Sequence, residues 1–171
     1  MRQAVVVMGV SGSGKSAVAA GIAQRLGWRC IDGDDLHSAH NVDKMRRGQP
    51  LSDADRWPWL DRVGAELADA RRSPAGVTLA CSALRRAYRD RLRAACPGVR
   101  FVFLDGDAQV IAARLHQRTG HYMPSTLLDS QWQTLERPGA DETDVLRLDI
   151  AAPVDEVIAR AAQALALPAR R

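Results

Sequence analysis

Residues 4–16 read AVVVMGVSGSGKS, and this stretch decides the fold. Residues 4–10 form a short, continuous, valine-rich apolar run, which is typical of a parallel strand covered on both faces. Residues 9–16 match the pattern GxxxxGK[ST], and a helical pattern follows over residues 15–26. A strand, a glycine-rich loop and a helix in this order predict a phosphate-binding loop.

The residue types of this loop suit a nucleotide. Its glycines let backbone N–H groups wrap a phosphate, and the helix N-terminus favours the anion. Lys15 is expected to reach the β- and γ-phosphates, and the Ser16 hydroxyl to bind Mg²⁺. The predicted nucleotide-binding residues here are Gly9, Ser11, Gly12, Ser13, Gly14, Lys15, Ser16 and Ala17.

Strand and helix patterns alternate along most of the remaining chain. Further strands are predicted at residues 29–31, 77–81, 100–104 and 144–148. Helices are predicted at residues 55–72 and 85–95, from an N-cap at Asp107 to Arg118, and from Pro153 as a first helical residue. The alternation predicts a single α/β domain over residues 1–171 with a mainly parallel sheet.

Residues 119–140 do not fit the alternation. They are rich in Gly, His, Pro and Ser before a short helix around residues 127–135. We expect this segment to be a mobile lid that closes with nucleotide or with both substrates and excludes water.

Composition narrows the function classes. The net charge of the 171 residues is +4, which is too small to indicate a nucleic-acid partner. No apolar run approaches the roughly 18 residues that span a bilayer, so we expect no membrane partner. The three cysteines form an odd set without CxxC spacing, which favours reduced thiols and a cytoplasmic location.

Two carboxylates follow the second predicted strand, in Asp32-Gly33-Asp34. They should emerge at the carboxyl edge of the sheet, where open α/β folds bind ligands, and so face the phosphate-binding loop. There Asp34 could orient an acceptor hydroxyl or accept its proton, and Asp32 could hold Mg²⁺ through water. In the competing interpretation, either residue is a turn residue or an N-cap.

The loop alone leaves three classes open: a small-molecule kinase, a GTPase-type switch and an ATPase motor module. A guanine-reading NKxD motif is absent, and the chain is short for a motor domain. A kinase of this size is expected to place its acceptor pocket between the second and third strands.

Four blocks of sequence resemble the gluconokinase family. Besides the loop, residues 32–60 match DGDxLHxxxNxxKMxxGxPLxDxDRxPWL at every fixed position. Residues 81–93 resemble CSALKxxYRDxLR, with Arg85 in place of lysine. Residues 114–136 resemble RxxxRxGHFMPxxLLxSQFxTLE, with Tyr122 and Trp132 in place of phenylalanine.

This resemblance implies a P-loop kinase fold, a three-layer α/β/α sandwich with a five-stranded sheet, commonly as a homodimer. It implies ATP- and Mg²⁺-dependent phosphorylation of D-gluconate at its C6 hydroxyl, giving 6-phospho-D-gluconate and ADP. A kinase for another small hydroxy acid, such as a shikimate-like acceptor, or a non-catalytic nucleotide-binding module remains the alternative.

The acceptor-binding segment is expected over residues 34–72. Arg56 is predicted to bind the gluconate carboxylate as a bidentate guanidinium, the alternative being a surface ion pair. His37, Asn41 and Lys44 follow Asp34 at spacings that share one face if the segment is helical, and that face would line the pocket. Arg85 is a further predicted substrate contact.

Two arginines lie one helical turn apart where the lid begins. By resemblance to related kinases, Arg114 would stack on adenine, and Arg118 would reach the transferring phosphoryl group and act with Lys15 and Asp34 as a catalytic residue. An exposed pair on a helix is the alternative. His121 could contact a substrate or order the lid turn.

Overall fold

Five parallel strands and seven α-helices make up the computed structural model, which describes residues 3–117 and 125–167. The strands are β1 (Ala4–Met8), β2 (Arg29–Asp32), β3 (Val77–Ala80), β4 (Arg100–Asp105) and β5 (Val145–Asp149). The helices are α1 (Lys15–Leu26), α2 (Ala39–Arg46), α3 (Asp53–Ala70), α4 (Arg86–Ala95), α5 (Ala108–Gln117), α6 (Ser125–Thr134) and α7 (Val154–Ala166), and a 3₁₀ helix covers Gly33–Leu36.

The strand order is β2-β3-β1-β4-β5, so the first strand lies at the centre of the sheet. Each strand of β1 to β5 pairs in parallel with its neighbours, for example Val6 with Leu79 on one side and with Phe101 on the other. This confirms the parallel α/β fold. The continuous apolar pattern of β1 is explained by its central position.

Two apolar clusters cover the two faces of the sheet. Val6 and Met8 of β1 pack in one cluster with Leu60, Val63 and Leu92 of α3 and α4. The alternate residues Val5 and Val7 pack in the other cluster with side chains of α1, α5 and α7, namely Val18, Ile22, Ile111, Val157 and Ile158. The result is the predicted three-layer α/β/α sandwich.

Local signals set most element ends. The Asp107 carboxylate accepts the Val110 N–H at 2.9 Å, as expected for the N-cap of α5. α3 begins at Asp53, two residues earlier than predicted, because Ser52 and Asp55 form a capping box. Pro153 is the N-cap of α7 and not its first helical residue. Within the described ranges, no helix is long and apolar enough to cross a membrane.

Candidate active site

The phosphate-binding loop connects the buried end of β1 to the N-terminus of α1. Gly14, the N-cap of α1, has φ 95°, a left-handed conformation that glycine adopts without strain. The Lys15 ammonium donates to the Val10 carbonyl at 3.1 Å, across the loop. The loop thus lies between a central strand and a helix N-terminus, where a phosphate cradle is expected.

The end of β2 faces this loop, as predicted. The Ser16 hydroxyl donates to Asp32 Oδ2 at 3.4 Å, and Asp32 Oδ1 accepts the Asp34 N–H at 3.0 Å. Asp32 is therefore the N-cap of the 3₁₀ helix and also a neighbour of the loop. Gly33 permits the start of the 3₁₀ helix to approach the end of β3 closely, because a Cβ there would lie 2.3 Å from the Ala80 carbonyl oxygen.

The oxygens of Ser16 and Asp32 are hard donors of the kind that Mg²⁺ prefers. Among residues 3–117 and 125–167, no group of three or more His, Cys, Asp or Glu side chains could hold a metal. Protein oxygens at this point fit a magnesium ion that takes its remaining ligands from phosphate and water.

A single cavity of about 570 Å³ joins the phosphate-binding loop to the segment after β2. It extends from the loop over the carboxyl end of β3 to α2, α3 and α6. Its lining residues are Ser11, Lys15, Asp34, His37, Val42, Met45, Arg46, Pro50, Leu51, Arg56, Trp59, Ser82, Leu84, Leu127, Ser130 and Gln131. The cavity brings together the predicted residues Lys15, Asp34, His37 and Arg56.

Asp34 projects into this cavity. Asp34 is solvent-exposed, yet the surrounding protein removes part of the hydration of its carboxylate. This desolvation raises the pKa of Asp34, and the nearby Lys15 ammonium lowers it in part. A carboxylate with a raised pKa beside the Lys15 ammonium is suited to accept a proton from a hydroxyl.

His37 lies flat against Trp59, with ring centroids 4.1 Å apart and planes 16° from parallel. Trp59 is buried, and its Nε1 donates to the Gly33 carbonyl at 2.8 Å. Burial lowers the pKa of His37 to about 4, and the charges of Arg62 and Arg56 add to the effect. The imidazole is therefore neutral at pH 7 and can hydrogen-bond a polyol without adding charge.

Asn41 and Lys44 do not line the cavity, so the predicted common helical face is wrong. The 3₁₀ helix ends at Leu36, and α2 begins anew after Ser38, whose hydroxyl accepts the Asn41 N–H at 3.1 Å. This break turns both side chains towards the start of α3. Asn41 donates to the Asp55 carbonyl at 2.9 Å, and Lys44 to Asp55 Oδ2 at 2.6 Å.

These contacts hold α2 against α3. Lys44 and Ser52 donate hydrogen bonds that lower the pKa of Asp55 well below its usual range. The buried Asn41 amide also lies 3.3 Å from His37 Nδ1. Because an amide N–H₂ can only donate, the neutral ring carries its proton on Nε2. Asn41 thus orients His37 from behind.

Arg56 lines the cavity from α3, and its guanidinium donates to the Tyr88 hydroxyl at 3.0 Å. The Asp53 carboxylate lies 3.8 Å from Arg56 Nη1 and 3.5 Å from Arg85 Nη1, and it accepts a hydrogen bond from Tyr88. Arg85 is not among the lining residues. Its observed contact is with Asp53, which also lies near Arg56.

Arg114 bridges α5 and the loop that follows β5. Its guanidinium donates to the carbonyls of Ile150 and Ala152, the second at 3.2 Å. A Cβ at Gly14 would lie 3.5 Å from Arg114 Nη1, so the guanidinium lies beside the phosphate-binding loop. The predicted residues Arg118 and His121 lie outside the described residues.

Sequence reasoning missed two parts of the site. Gln131 of α6 accepts the Ser11 N–H at 2.6 Å, and its neighbour Ser130 lines the cavity. Ser130 and Gln131 are the SQ of the family pattern that residues 114–136 resemble. Their presence in that pattern was the signal that could have identified them as site residues.

The second missed part is a buried ion pair between Arg89 and Glu142. Two hydrogen bonds of 2.7 Å join them, and Arg89 Nη1 also donates to the carbonyls of Ala83 and Leu84 at 3.1 and 3.2 Å. Ala83 has φ 45°, an unfavourable conformation for a residue with a side chain. The pair therefore fixes the turn after β3 that places Ser82 and Leu84 in the cavity wall.

Comparisons with known proteins agree with this geometry. The profile of a family described as an AAA domain matches residues 5–138. The thermosensitive gluconokinase of Escherichia coli (strain K12) is 46% identical over 164 residues, covering 95% of this chain and 87% of the relative. The gluconokinase of Gluconobacter oxydans (strain 621H) is 51% identical over 138 residues, covering 81% and 78%.

Solved structures give the same result. The crystal structure of a gluconokinase from Sinorhizobium meliloti 1021 matches with a TM-score of 0.84 and 47% identity, covering 97% of this chain and 98% of that chain.

Proposed function

Because the chain belongs to the gluconokinase family of P-loop kinases, we propose that its cavity transfers the γ-phosphoryl group of ATP to the C6 hydroxyl of D-gluconate. The products are 6-phospho-D-gluconate and ADP. The observation that carries this function is the single cavity in which Ser11 and Lys15 of the loop meet Asp34, His37 and Arg56.

The loop end of the cavity is where the phosphates bind. Backbone N–H groups of residues 11–16 and the Lys15 ammonium supply the positive charge. Arg114, which already contacts the loop after β5, is suited to lie over the adenine ring. By the family resemblance, Arg118, four residues after Arg114 in the sequence, would stabilise the charge that develops on the transferring phosphoryl group.

The opposite end suits a linear polyol acid. Arg56 offers a guanidinium fork to the carboxylate, and the neutral His37 offers a hydrogen bond to a hydroxyl. Asn41 supports this wall through its contact with His37, and Lys44 supports the position of α2 through Asp55. Arg85 acts through Asp53 on the charge of Arg56. His121 remains a predicted contact of the acceptor.

Asp34 orients the C6 hydroxyl for transfer. The hydroxyl oxygen forms a bond to the γ-phosphorus as the bond from that phosphorus to the β–γ bridging oxygen breaks. The hydroxyl proton goes to the Asp34 carboxylate, and the electron pair of the broken bond remains on ADP. Lys15 offsets the negative charge of the phosphate oxygens throughout.

Ser16 and Asp32 are the residues that would hold Mg²⁺. The bound ion would neutralise phosphate charge and favour the departure of ADP. The 3.4 Å approach of the Ser16 hydroxyl to Asp32 Oδ2 supports this assignment.

A homodimer and a cytoplasmic location complete the proposal. The family resemblance supports the dimer, and the three unpaired cysteines suit a reducing compartment. Light scattering coupled to size exclusion would give a mass near twice 18.6 kDa if the dimer is correct.

The function is tested by an ADP-release assay with Mg²⁺ and ATP against D-gluconate, other aldonates, shikimate and no acceptor. ³¹P NMR of the product then locates the phosphate. We expect turnover to depend on D-gluconate and the phosphate to be at C6. Turnover that prefers shikimate, or ADP release indifferent to the acceptor, would contradict the proposal.

A further inference from the structure

Gln131 makes a direct contact with the phosphate-binding loop that the transfer mechanism above does not use. Its side-chain oxygen Oε1 accepts the backbone N–H of Ser11 at 2.6 Å, although the two residues are 120 positions apart in sequence. Because the Ser11 nitrogen can only donate, the atom facing it must be the amide oxygen. A neutral acceptor thus occupies a position where the loop would bind a phosphate oxygen.

The Ser11 N–H lies on the acceptor side of the loop. Of the loop residues, Ser11 and Lys15 line the cavity that also contains Asp34. The γ-phosphoryl is the part of ATP that must meet the acceptor held at Asp34. With ATP in the orientation of the proposed function, the Ser11 N–H would face the γ-phosphoryl group.

Helix α6 belongs to the segment predicted to be a lid, and in this structure its packing against the sheet places Gln131 at this point. Leu127 of the same helix is buried, and Leu128, Trp132 and Leu135 pack against the apolar clusters of the sheet. The Glu136 N–H just after α6 donates to the Leu84 carbonyl at 2.8 Å. The Gln131 amide can turn about its last side-chain bond while its backbone stays in place.

We propose that Gln131 reads the γ-phosphoryl group and so discriminates ATP from ADP. Without nucleotide, its amide oxygen satisfies the Ser11 N–H. When a γ-phosphoryl oxygen takes that N–H, the amide turns and its Nε2–H₂ group donates to the same phosphoryl group. An amide carries both a donor and an acceptor, so one neutral side chain serves both states. This inference rests on the proposed function for the orientation of ATP.

The variant Gln131→Glu separates acceptance of the Ser11 N–H from donation to the phosphoryl group. The carboxylate of this variant still accepts the Ser11 N–H. It cannot donate to a phosphoryl oxygen, and its negative charge repels the negative charge of the phosphoryl group. The control is Gln133→Glu, because Gln133 is exposed on the same helix and the charge change is identical. Dissociation constants are measured by calorimetry for ADP and for the β,γ-imido analogue of ATP.

We expect Gln131→Glu to weaken binding of the ATP analogue at least fivefold more than binding of ADP, and Gln133→Glu to change the two equally. A selective loss smaller than fivefold would overturn the inference. Gln131→Met removes donor and acceptor without adding charge. It should lower kcat about tenfold while KM for D-gluconate stays within twofold, and an unchanged kcat would also overturn the inference.

Failure of the proposed function would look different. In that case the wild-type protein itself would show no gluconate-dependent turnover. If wild-type turnover is normal and the Gln131 variants bind both nucleotides as the wild type does, only the role of Gln131 is wrong.

Discussion

The Ser16 hydroxyl lies 3.4 Å from Asp32 Oδ2 and thereby joins the phosphate-binding loop to the end of β2. The same Asp32 side chain caps the 3₁₀ helix through the Asp34 N–H. One carboxylate therefore contacts both the phosphate-binding loop and the segment that carries Asp34. The position of Asp34 relative to the loop follows from this contact.

Asp32→Asn tests the magnesium assignment. Asparagine can still cap the 3₁₀ helix, so the fold should be preserved, but its neutral amide binds Mg²⁺ less strongly. We expect the Mg²⁺ concentration for half-maximal activity to rise about tenfold, measured by titrating Mg²⁺ at fixed ATP. Asp35→Asn, at the exposed neighbouring carboxylate, should leave that concentration unchanged. Equal effects of the two variants would remove Asp32 from the metal site.

Arg56→Lys tests recognition of the substrate carboxylate. Lysine keeps the positive charge but loses the planar fork, so bidentate binding is lost. We expect KM for D-gluconate to rise at least about tenfold, with KM for ATP within twofold. D-glucitol, which lacks the carboxylate, provides the control in steady-state assays. If the wild-type preference for D-gluconate over D-glucitol persists in the variant, Arg56 does not bind the carboxylate.

Arg89→Met tests the buried ion pair. The substitution leaves the Glu142 carboxylate buried with only Arg93 as a charged partner, at 2.8 Å. We expect a loss of about 3 kcal/mol in the free energy of unfolding, measured by urea denaturation. The exposed pair of Arg91 and Asp61 has similar geometry, so Arg91→Met is the control and should lower the free energy of unfolding far less than Arg89→Met does. Similar losses of unfolding free energy in both variants would show that burial does not determine how much this ion pair stabilises the protein.

His37 makes the stability of the protein depend on pH. Folding lowers the pKa of His37 from 6.5 to about 4, so the unfolded chain binds this proton more readily. Stability should fall as pH decreases from 6.5 towards 4, by about 1 kcal/mol at pH 5 after allowance for solvent screening. Thermal unfolding of His37→Gln should show a smaller decrease over pH 6.5 to 5. An identical decrease in both proteins would assign it to other groups.

The parts of the site that depend on residues close together in the sequence could be predicted. The loop after β1 and the position of Asp32 and Asp34 follow from the strand–loop–helix pattern and from the rule that parallel strands end at one edge. The predicted common face of Asn41 and Lys44 is wrong because their spacing from Asp34 gives one face only within a continuous helix. Ser38 starts a new helix there, and this changes the direction of both side chains.

The parts that depend on distant contacts could not be predicted. Gln131 meets Ser11 across 120 residues, and Arg89 meets Glu142 across 53. Arg89 stands among several other arginines, and such a segment predicts a solvent-exposed helix. Nothing near Arg89 in the sequence indicates that its side chain is buried. The three-dimensional arrangement of α4, α6 and the sheet supplies this information.

The role of Asp34 is the central claim, and Asp34→Asn tests it most directly. Because folding raises the pKa of Asp34, the carboxylate costs folding free energy at neutral pH, so the variant should be at least as stable as the wild type at pH 7. Its kcat in the D-gluconate-dependent ADP-release assay should fall about 1,000-fold, while its dissociation constant for the β,γ-imido analogue of ATP stays within threefold. A kcat near that of the wild type would contradict the account.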